Sequence, residues 1–241
     1  MTERPQIWID DGHRYHVEGI EKSMPSCSAI AGHVDKGGGD GLLSWAGELA
    51  LRYNDKNGFK NDNSLAIGTA MHKEIEDYLT TRTLPKWSTA LFLKWYAAMN
   101  ETVSEWVAWE YMLYHPVDLY GGTVDAIGIE DGVVTIFDWK TRTQKYSDGE
   151  LFHTDKNGRK VYKDPRRQKD AVQLGGYYSA LMQDDNIQPK PTKAKIVYLY
   201  KDTETIAFDE VNLEQAQTAF KACLGVQNTK GGLYARKPRV L

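Results

Sequence analysis

Cysteine is nearly absent from this 241-residue chain, with Cys27 and Cys223 its only two. Two thiols cannot build a disulfide framework or supply the four thiolates of an iron–sulfur cluster. Long apolar runs are missing as well. No stretch approaches the ~18 residues of a membrane span, and the opening MTERPQIWIDDGHRYH lacks the apolar segment of a secretory signal. The expected location is the cytoplasm. No GxxxxGK[ST] loop occurs, which excludes a nucleotide-driven motor of that type. Neither sign of charge dominates, since the formal net charge is −3 and the pI is near 6.1; overall charge does not advertise a nucleic-acid binder. With 41% hydrophobic and 26% charged residues, the chain can bury one good core, so a single domain over residues 1–241 is expected.

What is present is concentrated in one stretch. Residues 121–141, GGTVDAIGIEDGVVTIFDWKT, read as a β-hairpin: alternation from Thr123 to Ile129, a turn at Glu130-Asp131-Gly132, and a second apolar run from Val133. Counting back by twos from Lys140 puts Asp138, Ile136 and Val134 on its face, and Trp139, Phe137 and Thr135 on the other. An acid and a lysine thus stand side by side at the end of a core strand. Burying charge there is costly unless it is paired, hydrogen-bonded or bound to a metal. A tight turn brings Asp125 opposite them. Two carboxylates converging beside a lysine repel unless a cation lies between them, and a hard divalent ion such as Mg²⁺ suits that role while keeping waters for a substrate.

Gly122-x-x-Asp125 followed by Asp138-x-Lys140 resembles the active-site signature of the PD-(D/E)XK nuclease superfamily. Gln173-Leu-Gly-Gly-Tyr177 resembles the Q-x-x-x-Y helix motif of its RecB-like exonuclease branch, and Gly68-Thr-Ala-Met-His72 resembles that branch's upstream G-x-x-x-H helix. The likeness runs from Gly68 to Leu181, and beyond it the layout is similar to phage-type members. With two cysteines the chain departs from the RecB-like members that carry a four-cysteine cluster. The resemblance implies an α/β, restriction-endonuclease-like αβββαβ core: a central mixed sheet flanked by helices, with an N-terminal hairpin and helical extension. It implies that Lys140, Asp125 and Asp138 are catalytic and that His72, Asp125, Asp138 and the backbone carbonyl of Trp139 hold Mg²⁺ or Mn²⁺, a histidine ligand suiting Mn²⁺ better. Gln173 and Tyr177 would fix a substrate phosphate, with Thr141, Arg166 and Arg167 as further substrate contacts.

The remaining sequence is read around that core. Residues 1–60 form an extension: a hairpin over 6–17 turning at Asp10-Asp11-Gly12, a short helix capped by Ser26 and running to His33, a break at Gly37-Gly38-Gly39, and a helix over 42–53 with Trp45 as a packing residue. The core spans 64–224. Its first helix has Ser64 as cap and an apolar stripe through Ile67, Met71, Ile75, Tyr78 and Leu79, with His72 and Glu76 just off the stripe. An amphipathic helix over 85–103, with Trp95 in the core, precedes a strand over 107–114. Within it, Glu110 is either a metal-site group or an acid on a solvent face. Residues 142–168 lack sustained periodicity, and a turn at Asp155-Lys-Asn-Gly158 suggests a small hairpin over 150–162 in a loop that closes over substrate. A helix over 169–182 carries Gly175-Gly176, a pairing that costs roughly 1 kcal/mol per glycine relative to alanine and calls for a close approach by sheet, backbone or nucleic acid. Strands over 194–200 and 205–208 and a helix over 211–224 complete the core. Basic residues cluster from Lys156 to Lys169 and in the tail 225–241, where they either neutralise phosphates or are solvated.

The expected function is metal-dependent hydrolysis of DNA phosphodiester bonds without sequence specificity, by an exonuclease acting on ends or single strands in recombination, repair or replication. A structure-specific endonuclease and a catalytically silent DNA- or protein-binding module are the alternatives. Unwinding would fall to a partner of the single-strand-binding, annealing or helicase type. Multimerisation stays open, because related phage exonucleases form rings.

Overall fold

The computed structural model describes residues 4–34, 64–143, 152–154, 160–162 and 166–229. The expected break at Gly37-Gly38-Gly39, the helix over 42–53 with Trp45, residues 144–151, 155–159 and 163–165 of the loop 142–168, and the basic tail from Lys230 lie outside them.

The N-terminal extension opens with three strands, β1 (Ile7–Ile9), β2 (Tyr15–Val17) and β3 (Ile20–Met24), paired antiparallel in that order. The sequence signalled two; the third follows a tight turn at Gly19, whose φ of +80° suits glycine. Helix α1 (Cys27–Ala31) is capped by Ser26, whose hydroxyl accepts from the Ala29 N–H. Helices α2 (Ser64–Thr81) and α3 (Ala90–Thr102) follow. Thr89 caps α3 by accepting from the Phe92 N–H at 3.1 Å, so this helix starts five residues later than its apolar pattern suggests.

The main sheet has five strands: β4 (Val103–His115), β5 (Tyr120–Glu130), β6 (Val133–Arg142), β9 (Lys193–Tyr200) and β10 (Thr205–Glu210), in the order β10-β9-β6-β5-β4. β6 and β9 are parallel and the other neighbours antiparallel. The β5–β6 hairpin turns through Asp131 and Gly132, both at positive φ, +52° and +74°, as a two-residue type I′ turn requires. Between β6 and β9 lie the small hairpin β7 (Phe152–Thr154) and β8 (Lys160–Tyr162), then α4 (Arg166–Leu181). Helix α5 (Leu213–Thr229) closes the chain. This is the mixed α/β architecture expected of a restriction-endonuclease-like fold. Among the described residues no helix is long and apolar enough to cross a membrane.

Both faces of the sheet are covered, which accounts for the unbroken apolar run in β6. On one face Val134, Ile136, Ile196 and Tyr198 pack with Leu174, Leu181 and Phe220 of α4 and α5. On the other, Phe137, Trp139, Val197 and Leu199 pack with Met71, Ile75, Trp95 and Met99 of α2 and α3. Ile67, at the head of the α2 stripe, remains exposed.

The Gly175-Gly176 pair answers to α5. A Cβ on Gly175 would sit 2.3 Å from the backbone carbonyl of Ala216, and one on Gly176 would sit 2.5 Å from the Phe220 ring. The close approach is therefore helix on helix, without a role for the sheet or for nucleic acid. Gly175→Ala should destabilise the protein by at least ~1–3 kcal/mol through overpacking. Gly225→Ala in α5, where a Cβ meets nothing within 4 Å, should stabilise it by up to ~1 kcal/mol. Urea denaturation of both variants measures the contrast.

Candidate active site

The site forms where regular strand geometry fails. Ala108 and Tyr111 of β4 both pack on the α4–α5 side, as do Val124 and Ile127 of β5, whereas Trp109 and Ala126 pack on the α2–α3 side. Residues three apart should face opposite ways, so each strand loses one beat of alternation, at Glu110 and Asp125. The register is the same on either side, Trp109 pairing with Ala126 and Tyr111 with Val124. Glu110 takes up the irregularity with φ +44°, a conformation that costs a non-glycine residue roughly 1–3 kcal/mol and concentrates at functional sites.

On its other edge β5 parts from β6. Their ladder ends at Ala126–Phe137, and beyond it the Asp125 carboxylate accepts the Trp139 N–H at 2.6 Å. Because the N–H and C=O of one strand residue point to the same side, the Trp139 carbonyl is directed to this same opening. β6 itself stays straight because it continues pairing with β9 through Arg142. From α2, His72 brings Nδ1 to 3.9 Å from Asp125 Oδ1. His72, Glu110 and Asp125 each offer one ligand atom, and these lie within 4.8 Å of one another.

Asp138 and Lys140 occupy the adjoining position, under α4. Asp138 is completely buried, and its Oδ2 lies 2.7 Å from Lys140 Nζ, although neither oxygen accepts a hydrogen bond of good geometry. Burial, and then the negative charges of Asp125 and Asp170, push the Asp138 carboxyl up to about 7 against the opposing pull of Lys140. Burial pulls the Lys140 ammonium down, but Asp138, Asp125 and Asp170 together outweigh it and raise it above the usual lysine value. Glu110 is likewise pushed up to about 7, by desolvation and then by Asp125 and Glu76. Its side chain still reaches solvent, which screens part of that repulsion.

Gln173 and Tyr177, one turn apart on α4, are hydrogen-bonded to each other, amide to hydroxyl, and both are buried. The Tyr177 ring lies against β5 at Gly122, where a Cβ would come within 2.6 Å of it. Asp138 and Asp125 both act on the Tyr177 hydroxyl, which burial raises well above its ordinary value.

Among the described residues the geometry groups three of the side chains that the sequence suggested for a metal. The converging trio is His72, Glu110 and Asp125; Glu110, which the sequence left between a metal-site group and a solvent-facing acid, is part of it, and Asp138 faces Lys140 beside it. Two carboxylates and an imidazole, beside a directed carbonyl and a buried acid without hydrogen bonds, are a donor set that fits a divalent cation.

A family model described as the PD-(D/E)XK nuclease superfamily matches residues 62–239. The chain belongs to the PD-(D/E)XK nuclease superfamily. It is accordingly a metal-dependent nuclease. No curated protein sequence matches the chain. Among solved structures, the crystal structure of SSO0001 is similar at 15% identity, covering 87% of this chain and 79% of that one, with a TM-score of 0.37; a likeness at that level carries no argument about function.

The three further substrate contacts implied for this nuclease differ in their surroundings. Arg167 is bound within the protein, 2.8 Å from Asp209, 2.5 Å from the Tyr200 hydroxyl and over the Tyr198 ring, so a substrate contact would require it to leave these partners. The Arg166 side chain lies outside the described residues. Thr141 is near the site with a buried hydroxyl that has no hydrogen-bond partner; Gly68 of α2 faces it, and a Cβ there would meet the Thr141 Cβ at 3.9 Å, an ordinary contact. One arrangement had no sequence signal. Arg142 grips Asp170 with two bonds of 3.0 Å, fixing the start of α4 to the end of β6.

The carboxyls of Glu110 and Asp138 are both pushed up toward about 7, less fully for Glu110 because solvent reaches it, and a cation favours ionised carboxylates. Apparent Mn²⁺ affinity should therefore rise as pH increases from 5 to about 7 and level off above it. Isothermal titration calorimetry across that range measures it, and Glu110→Gln should weaken binding while making the rise shallower.

Proposed function

We propose that this nuclease is a deoxyribonuclease that hydrolyses DNA without sequence specificity, acting as an exonuclease on ends or single strands. The observation that supports it best is the grouping of His72, Glu110 and Asp125 beside the Lys140–Asp138 pair. When bound, Mg²⁺ or Mn²⁺ would polarise a phosphoryl oxygen and lower the pKa of a coordinated water. His72, Glu110 and Asp125 would hold the ion, with Asp138 and the Trp139 carbonyl at its border. Lys140, kept as an ammonium by its acidic neighbours, serves as a donor: it orients the attacking water and stabilises the charge that grows on the phosphate oxygens. Gln173 and Tyr177 pre-set each other's orientation and position a phosphate.

The exonuclease form rests on the resemblance of Gly68–His72 and Gln173–Tyr177 to RecB-like motifs. In that reading the protein works in the cytoplasm, the host's where the chain is phage-encoded. It contacts phosphates in preference to bases, and it relies on a single-strand-binding, annealing or helicase partner for access to a strand.

Digestion of end-labelled single- and double-stranded DNA with Mn²⁺ should show cutting by wild type. Lys140→Ala and Asp125→Ala should each lower the rate at least ~100-fold while DNA binding persists. Covalently closed circles should resist. Cutting of circles would indicate an endonuclease, and metal-independent binding without cutting by wild type would indicate a binding module.

A further inference from the structure

The N-terminal meander reaches the metal group through one side chain. Tyr15, on β2, is 6% exposed and its ring lies flat on the start of β5, where a Cβ on Gly121 would come within 2.3 Å of the Tyr15 Cγ. The meander is fastened there a second time, by the Gly121 N–H donating to the Pro25 carbonyl at 3.0 Å. So held, the Tyr15 hydroxyl meets Thr123 Oγ1 at 2.9 Å.

Thr123 stands two residues before Asp125, within the stretch of β5 that precedes the lost beat, so the two side chains leave the strand on the same face. Across the ladder, Thr123 pairs with Met112, which packs against Tyr15, Val17 and Met24 of the meander. Met112 is in turn two residues beyond Glu110. Tyr15 therefore bears on both strands two residues from the positions that break the pattern. Glu110 and Asp125 each act electrostatically on its hydroxyl, which agrees with that proximity.

We propose that Tyr15 is a positioning residue of the nuclease site: through Thr123 it fixes the β4–β5 irregularity that aims Asp125 and Glu110, so the meander is a working part of the metal centre. The proposal rests on the reading of His72, Glu110 and Asp125 as ligands. Without the hydroxyl pair, Thr123 is free to turn and the strand can regain regular alternation, which swings the carboxylates away from His72. Hydrogen bonds made to a metal ligand itself change metal affinity or activity by about 10- to 100-fold, and the lower end of that range is expected for this pair, which acts on the ligands through the strand.

The test is a double-mutant cycle in the full-length protein with Tyr15→Phe, which keeps the ring on Gly121, and Thr123→Val, which keeps the shape. Mn²⁺ binding is measured by calorimetry with the metal alone, and kcat and KM on labelled DNA. Each single variant should weaken Mn²⁺ binding about 10-fold and lower kcat by a similar factor with KM for DNA unchanged, while Tm stays near wild type. The double variant should be no worse than the weaker single. Unchanged Mn²⁺ affinity and kcat in Tyr15→Phe, or losses that multiply in the double variant, would overturn the proposal. If wild type binds Mn²⁺ without cutting DNA, the nuclease reading fails while the Mn²⁺ arm of the cycle still decides the role of Tyr15. If wild type binds no Mn²⁺, both fall.

Discussion

Everything at the site depends on β5 leaving β6 after Ala126 and Phe137 while β6 continues with β9. A strand edge opened inside a sheet leaves backbone groups without partners, at a cost comparable to lost hydrogen bonds. Here the Asp125 carboxylate takes the place of the missing strand by accepting the Trp139 N–H at 2.6 Å. One side chain thus satisfies the opening and is fixed in it. The opening also leaves room for Glu110 and His72 to converge with Asp125, and it sets that group next to the buried Asp138–Lys140 pair. The local cost is visible in the positive φ of Glu110 and in two carboxyls pushed up to about 7, both of which a bound cation would relieve.

The surroundings keep this arrangement from relaxing. Two glycine pairs admit the elements that clamp it: Gly121 and Gly122 let the rings of Tyr15 and Tyr177 rest on β5, and Gly175 and Gly176 let α5 press on α4. Arg142 and Asp170 join the end of β6 to the start of α4, and Arg167 and Asp209 join α4 to β10. These pairs are buried or partly so, and removing one partner would leave an uncompensated charge. They hold Gln173 and Tyr177 over the opening.

Much of the fold was legible because its signals are local. The Asp131–Gly132 turn, the apolar β6 run, the cap at Ser26, and the periods of α2, α4 and α5 depend on residues near one another in sequence. The identity of His72, Asp125, Asp138 and Lys140 as one neighbourhood came from their spacing and their likeness to a family pattern. What escaped depends on contacts distant in sequence. For Glu110 the sequence left a metal-site group and a solvent-facing acid both open, because strict alternation cannot foresee the lost beat in two strands that brings its carboxylate within 4.8 Å of the His72 and Asp125 ligand atoms. Arg167 reads as a substrate contact until Asp209, far along the chain, is seen to bind it. Tyr15 looks like an ordinary strand residue, and nothing before Thr123 is placed beside it suggests more. The third strand of the meander was missed because only a glycine turn separates it from β2.

Anomalous diffraction from crystals soaked in Mn²⁺ tests the central claim most directly. The account predicts one strong peak in the opening between β5 and β6, bonded to a nitrogen of His72 and to oxygens of Glu110 and Asp125, with the Trp139 carbonyl facing it. A peak bound elsewhere, or a β5–β6 ladder that continues through residues 125 and 138 with no ion between them, would contradict it.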